Sequence, residues 1–210
     1  MPAKQHGFTL VEIAIVLVII GILLGGILKG QEMITQGKIR SVEKEMDSIS
    51  IALLSYQDRY KALPGDDDKA KSRWTNTENG NFSGTIDEAF NSVNDAHETR
   101  RLWNHLRRAG FINGDSESFS QPGNAVGGLV GVQTDIRNGT SIVVSGVVIC
   151  STNLPAKVAN AVDAQQDDGN PARGSLRGFS QSASNTPDFA TTISAYVDDG
   201  NKLYTLCKTT

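Results

Sequence analysis

From Phe8 to Leu28 the chain reads "FTLVEIAIVLVIIGILLGGIL", and Glu12 is the one charged residue in it. As a helix rising ~1.5 Å per residue the run spans roughly 30 Å, the thickness of a bilayer core. An ordinary secretory signal has a shorter apolar core followed by a small-x-small cleavage site. Here the run is longer, and "LKGQEM" beyond it offers no such site. A plain signal anchor accounts for the length but not for Glu12. A carboxylate at the membrane centre costs about 2.5–3.5 kcal/mol, and Glu12 lies instead a little over one helical turn from Phe8. Cleavage between Gly7 and Phe8 would place a new α-amino group close to that carboxylate. The two charges neutralise one another in a low-dielectric setting, where either alone is expensive. The amine can also come from a neighbouring chain. Glu12 then acts as a register device for assembly, as single buried polar groups do in coiled coils.

A short polar leader ending in Gly7, then Phe-Thr-Leu-Val-Glu, then an apolar helix resembles the type III signal of type IV prepilins and of the related type II secretion pseudopilins. The resemblance implies that a prepilin peptidase cuts after Gly7 and methylates the new amine of Phe8. It implies that the helix first anchors the chain in the bacterial inner membrane, with the head in the periplasm. The same helix later forms the core of a homo-oligomeric helical filament. That filament would be a cell-surface pilus or a periplasmic pseudopilus, built by pilus or secretion assembly machinery. Glu12 falls on the family's glutamate, which pairs with a neighbour's N-terminus. One departure is His6 before Gly7, where Lys or Arg is common; Lys4 supplies the leader's positive charge.

The domain reading follows: leader 1–7, apolar transmembrane and assembly helix 8–28, amphipathic continuation 29–61, and globular head 62–210. In the continuation, Ile39, Val42, Met46, Ile49, Leu53, Tyr56 and Tyr60 alternate at steps of three and four. That is a narrow apolar stripe on a charged helix, suited to packing against a head. Pro64 and Gly65 are breakers that end it. Gly21, Gly25, Gly26, Gly30 and Gly37 weaken the helix and suit close packing; the Gly21–Gly30 stretch is also a candidate for local melting during assembly.

The head reads as α+β, an antiparallel sheet packed on the helix stripe, which also resembles the pilin fold. Asp66–Asp87 reads as a long polar loop. "NDAHETRRLWNHLRRAGFI" reads as a helix capped by Asn94 or Asp95, with Leu102, Trp103, Leu106 and Ala109 inward and a stop at Gly110. "GGLVGVQTDI" and "SIVVSGVVIC" read as strands, "LPAKVANAVDAQ" as a helix, and "TTISAYVDDGNKLYTLCK" as a hairpin turning at Asp199-Gly200. Cys150 and Cys207 belong to no CxxC or Cys/His cluster, so metal and redox chemistry are poorly supported. Whether they pair or stay as free thiols depends on compartment. The exported head implied by the resemblance makes a Cys150–Cys207 disulfide, bounding region 150–207, the expectation. It is similar to the C-terminal bounded region of type IV pilins. Major pseudopilins usually lack such a pair, which favours a pilus.

A net charge of −3 argues against a general nucleic-acid binder. The basic run Arg100–Arg108 reads as a solvated helix face. No GxSxG, HExxH, P-loop or dinucleotide fingerprint is present, so no enzyme is expected. A signal-anchored periplasmic enzyme or binding domain is the rival of another class. His97 and His105, two turns apart, read as surface polarity rather than ligands. Cofactors are not expected, with calcium the exception to weigh. Asp66-Asp67-Asp68 and the set Asp163, Asp167 and Asp168 are acidic enough, but neither follows the EF-hand spacing and turn chemistry explains both more simply. Asp163, Asp167 and Asp168 stand as the calcium candidates.

Overall fold

The computed structural model describes residues 9–210. Two compact units divide it, one running to Gly37 and the other from Lys38 to Thr210. Gly7 and Phe8, the expected cleavage site, lie outside the described residues.

Helix α1 runs Leu10–Tyr60. Its first unit is dense in Val, Ile and Leu, and those side chains stay exposed, from Leu10 at 89% to Leu28 at 67%. It contains a stretch long and apolar enough to cross a membrane. The five glycines named above do not interrupt the helix, and a Cβ added at any of them meets open space. No contact among the described residues therefore requires them. The helix ends at Tyr60 because Lys61 turns left-handed, at φ 56°. Pro64 and Gly65 lie beyond that turn.

In the second unit the stripe is buried as its spacing predicts. Ile39, Val42, Met46, Ile49, Leu53 and Tyr56 join one core with residues of the sheet and of two further helices. Those helices are α3 (Glu98–Arg108) and α4 (Ala156–Gln166); a single turn, α2, spans Ala70–Arg73. The strands are β1 (Val130–Asn138), β2 (Ser141–Pro155), β3 (Leu176–Ala183), β4 (Thr186–Thr192) and β5 (Leu203–Thr209). They form one antiparallel sheet in the order β1-β2-β5-β3-β4. The fold is α+β, a long helix followed by an antiparallel sheet. Alternation along β2 sends Ile149 and Leu154 into the core that holds α1, and Val148 and Cys150 into a second one with Phe90, Ile136, Phe179 and Cys207.

Two local expectations need correction, and a third gains detail. "TTISAYVDDGNKLYTLCK" is not a hairpin: β5 pairs with β2 and β3. Tyr196 instead points its hydroxyl at Asp163, and the Tyr204 hydroxyl bonds to the Val197 backbone. The hairpin in this region is β3–β4, closed by Ser184 and Asn185 with Asn185 at φ 58°. Its strands are too polar and too rich in small residues to stand out. Asp66–Asp87 is a long loop as expected, broken only by α2, but its start is anchored inside the head, with Asp66 and Asp67 each 1% exposed. Asp66 accepts from the N–H groups of Ser83 and Gly84, and Gly80 has no room for a Cβ against the Asp66 backbone. The cap of α3 is His97, not Asn94 or Asp95; it makes no side-chain cap bond, and the Glu98 N–H bonds to the Glu88 carboxylate.

Candidate functional site

The first described turn holds Glu12 in a reciprocal arrangement with Thr9. The Thr9 N–H donates to Glu12 Oε2 at 2.7 Å, the Thr9 hydroxyl donates to the same oxygen at 2.9 Å, and the Glu12 N–H reaches back to the hydroxyl at 3.3 Å. This is a capping box, Thr-x-x-Glu, which satisfies backbone donors that a helix start otherwise leaves open. It matters more where no water can replace the missing partners. Sequence reading identified Glu12 but missed Thr9; the Thr-x-x-Glu spacing ahead of an apolar run was the available signal. Glu12 is thus engaged within its own chain, and its carboxylate remains on the exposed surface of the helix.

From this turn onward, α1 presents Val11, Ile15, Val16, Ile19, Ile22 and Leu23 on several sides. Side chains exposed all round a helix demand lipid or other helices around them. Over residues 9–28 the arrangement offers an apolar contact surface and the one carboxylate of Glu12.

In the second unit the structure joins Cys150 and Cys207, which lie directly opposite on β2 and β5. Residues expected on the surface turn out to be fasteners. His105 is fully buried, stacked on Tyr56, and bonded at both ring nitrogens, to the Gly65 N–H and the Glu78 carbonyl. His97 bonds to the Ser92 hydroxyl, so the two histidines converge on no common ligand. Nor is the run Arg100–Arg108 a solvated face. Arg107 donates to the Ser118 and Ser120 carbonyls, Arg108 to the Asn76 carbonyl and Glu117, and Arg101 to the Asn79 carbonyl. Guanidinium forks suit several carbonyl acceptors at once, so these arginines tie loops to α3.

Of the two acidic stretches, Asp66 and Asp67 are consumed by the fold. Asp67 accepts from the Tyr56 hydroxyl at 2.7 Å and from the Lys69 N–H at 2.9 Å, and it pairs with Arg73. The structure brings Asp163, Asp167 and Asp168 together: one carboxylate oxygen of each lies within 4.8 Å of the others. Burial, with the like charges of Asp167 and Asp168, pushes the Asp163 carboxyl above its usual range, despite hydrogen bonding from Tyr196 and Gly169.

Residues 2–28 match the family model for the prokaryotic N-terminal methylation motif. The chain carries the type IV prepilin signal. No curated protein matches the chain. The motif supports a pilin-like or pseudopilin-like prepilin, and the apolar helix beyond it fits a membrane-anchored, pilin-like protein.

Proposed function

We propose that this chain is a structural subunit of a type IV pilus-like filament. It is cut between Gly7 and Phe8, methylated on the Phe8 amine, and assembled through the exposed apolar part of α1. The observation that carries this reading is the continuity of the methylation motif with that helix: a signal for processing runs straight into an apolar surface that has no partner among the described residues. In a helical array of copies the anchors pack on one another, and Glu12 exchanges or shares its cap with a neighbour's N-terminal amine. An unpaired charge in such a core costs several kcal/mol and a pair much less, so one axial register is rewarded. The disulfide on the far face of the sheet from α1 supports a pilus over a secretion pseudopilus. The head's role is structural rather than catalytic. Adhesion, motility and DNA uptake are the tasks such a fibre serves.

The test is mass spectrometry of the mature protein with imaging of sheared surface filaments. The expected species is residues 8–210 with one added methyl on the N-terminal amine, recovered from long fibres. A mature chain that keeps its leader, or a cut beyond Leu24, would overturn the reading and return the chain to a signal-anchored domain. Correctly processed subunits confined to short periplasmic assemblies would move it to the pseudopilins.

A further inference from the structure

We propose that a cavity between α1 and α3 is a binding site for a free aliphatic amino acid. Trp103 and Arg107 stand four residues apart on α3 and so share one helix face, and Glu45 and Ile49 do the same on α1. All four line the cavity, together with Ile112 and Val130. Its volume is about 190 Å³. Sites for drug-sized molecules run to ~300–1,000 Å³, so this one takes a compact guest.

The α3 wall is short of acceptors. Trp103 is fully buried, yet its indole Nε1–H has no hydrogen-bond partner. Arg107 spends its two terminal nitrogens on the Ser118 and Ser120 carbonyls, and its Nε–H is buried and unmatched too. Buried donors rarely go without an acceptor. Indole and guanidinium can only donate, so the missing partner is an oxygen that the guest brings.

Charge selects the kind of guest. Both Arg107 acceptors are neutral carbonyls, and among the described residues it makes no ion pair. Burial, with Arg100, pushes its pKa below the usual range against the pull of Asp115. Glu45 is the complement. Its Oε1 accepts from the Ser41 hydroxyl at 3.0 Å and its Oε2 from the Ala125 N–H at 3.3 Å, and among the described residues it makes no ion pair either. One cation and one anion thus line the same cavity without pairing with each other. A simple carboxylic acid would be repelled by Glu45, and a simple amine by Arg107. A zwitterion satisfies both, with its carboxylate toward Trp103 and Arg107 and its ammonium toward Glu45. Ile49, Ile112 and Val130 supply the rest of the wall. The side chain that gains from burial against them is aliphatic.

The experiment is equilibrium dialysis of the full chain in detergent against radiolabelled L-leucine. Leucine should bind. In competition, 4-methylpentanoate and isoamylamine, which each lack one of its charges, should bind at least tenfold more weakly. Trp103→Phe keeps a ring and loses the N–H; Glu45→Gln keeps an acceptor for Ala125 and loses the charge. Each should weaken leucine at least tenfold, while Glu45→Gln should hold 4-methylpentanoate no less tightly than the parent does. In nitrogen-15 spectra the Trp103 indole signal, assigned by its loss in Trp103→Phe, should move when leucine is added, and that of Trp74 should not. No binding at millimolar leucine would overturn the site and leave water as the partner of the two donors. So would a one-charge analogue that binds as tightly as leucine, or a Glu45→Gln variant that binds leucine like the parent. A Trp103 signal that stays fixed with leucine bound would put the amino acid elsewhere and overturn it as well.

Discussion

The Gly65 N–H donates to Nδ1 of His105 across 2.9 Å, and on the other side of the ring Nε2 faces the Glu78 carbonyl at 3.0 Å. A carbonyl only accepts, so Nε2 carries the proton; Nδ1 faces a donor and must be bare. The ring is held neutral. Burial, aided by Arg101, Arg73 and Arg108, drives its pKa down to about 4 against the opposing bond to Glu78. The unfolded ring titrates near ~6.5. Below that value the unfolded chain takes up a proton that the folded one refuses. His105 therefore contributes fully above pH ~6.5, and its contribution is lost as the pH falls toward about 4. The total is on the order of 3 kcal/mol. Melting temperature measured from pH 7 to 4 should fall, and the fall should be shallower in His105→Gln, which starts lower but has no proton to gain. Parallel curves would show that another group sets the acid limit.

Glu12→Gln separates the cap from the charge. The amide oxygen still accepts from Thr9, so the helix start, membrane insertion and cleavage should remain. The lost charge should reduce or abolish filaments, with processed subunits accumulating in the membrane, as read by shearing yield and cell fractionation. Normal assembly, or a worse defect in Glu12→Asp, would show that charge neutralisation is not the role of this residue.

Thr9→Val removes the hydroxyl half of the box and Thr9→Ser preserves it. Losing an N-cap of this kind costs about 1 kcal/mol of helix stability. The Val variant should show faster amide exchange in the first turn of α1, with Ser close to the parent.

Replacing Cys150 and Cys207 together by Ala removes a link between residues 57 positions apart. Loop-closure entropy puts the loss at about 4 kcal/mol. Denaturant titration of the oxidised parent and the variant should reproduce roughly that difference, and reducing the parent should give most of it.

Gly131 sits opposite Cys150 on β1, and the Phe90 ring occupies the space where its side chain would be. Gly131→Ala should cost about 1–3 kcal/mol through overpacking. A paired Phe90→Leu change should recover part of it, which a double-mutant cycle measures.

How much of this was legible in the sequence varies with the kind of residue. The stripe from Ile39 to Tyr56 announces itself because burial there follows one helix's own period. The apolar run before it is legible for another reason, its length and unbroken hydrophobic composition. His105, Asp67 and Arg108 do not announce themselves. Their burial depends on partners from other elements, Gly65, Tyr56 and Asn76, and no local period encodes that. β3 and β4 were lost for a third reason: "LRGFSQSA" and "TPDFATT" alternate weakly, and their pairing relies on β5 and on the Asn185 turn. The acidic trio was visible as composition, but only the fold shows that Asp163 is inside and Asp168 outside.

β5 follows the other four strands in the chain, yet it lies in the middle of the sheet, between β2 and β3. A nascent chain thus delivers both halves of the sheet before the strand that joins them. Until β5 arrives, β2 and β3 each present an open edge to solvent and to other chains. On the export route proposed above, vectorial delivery is a hazard as well as a route. A head exported that way crosses the membrane unfinished, keeps two sticky borders apart, and closes only when its central slat drops into place.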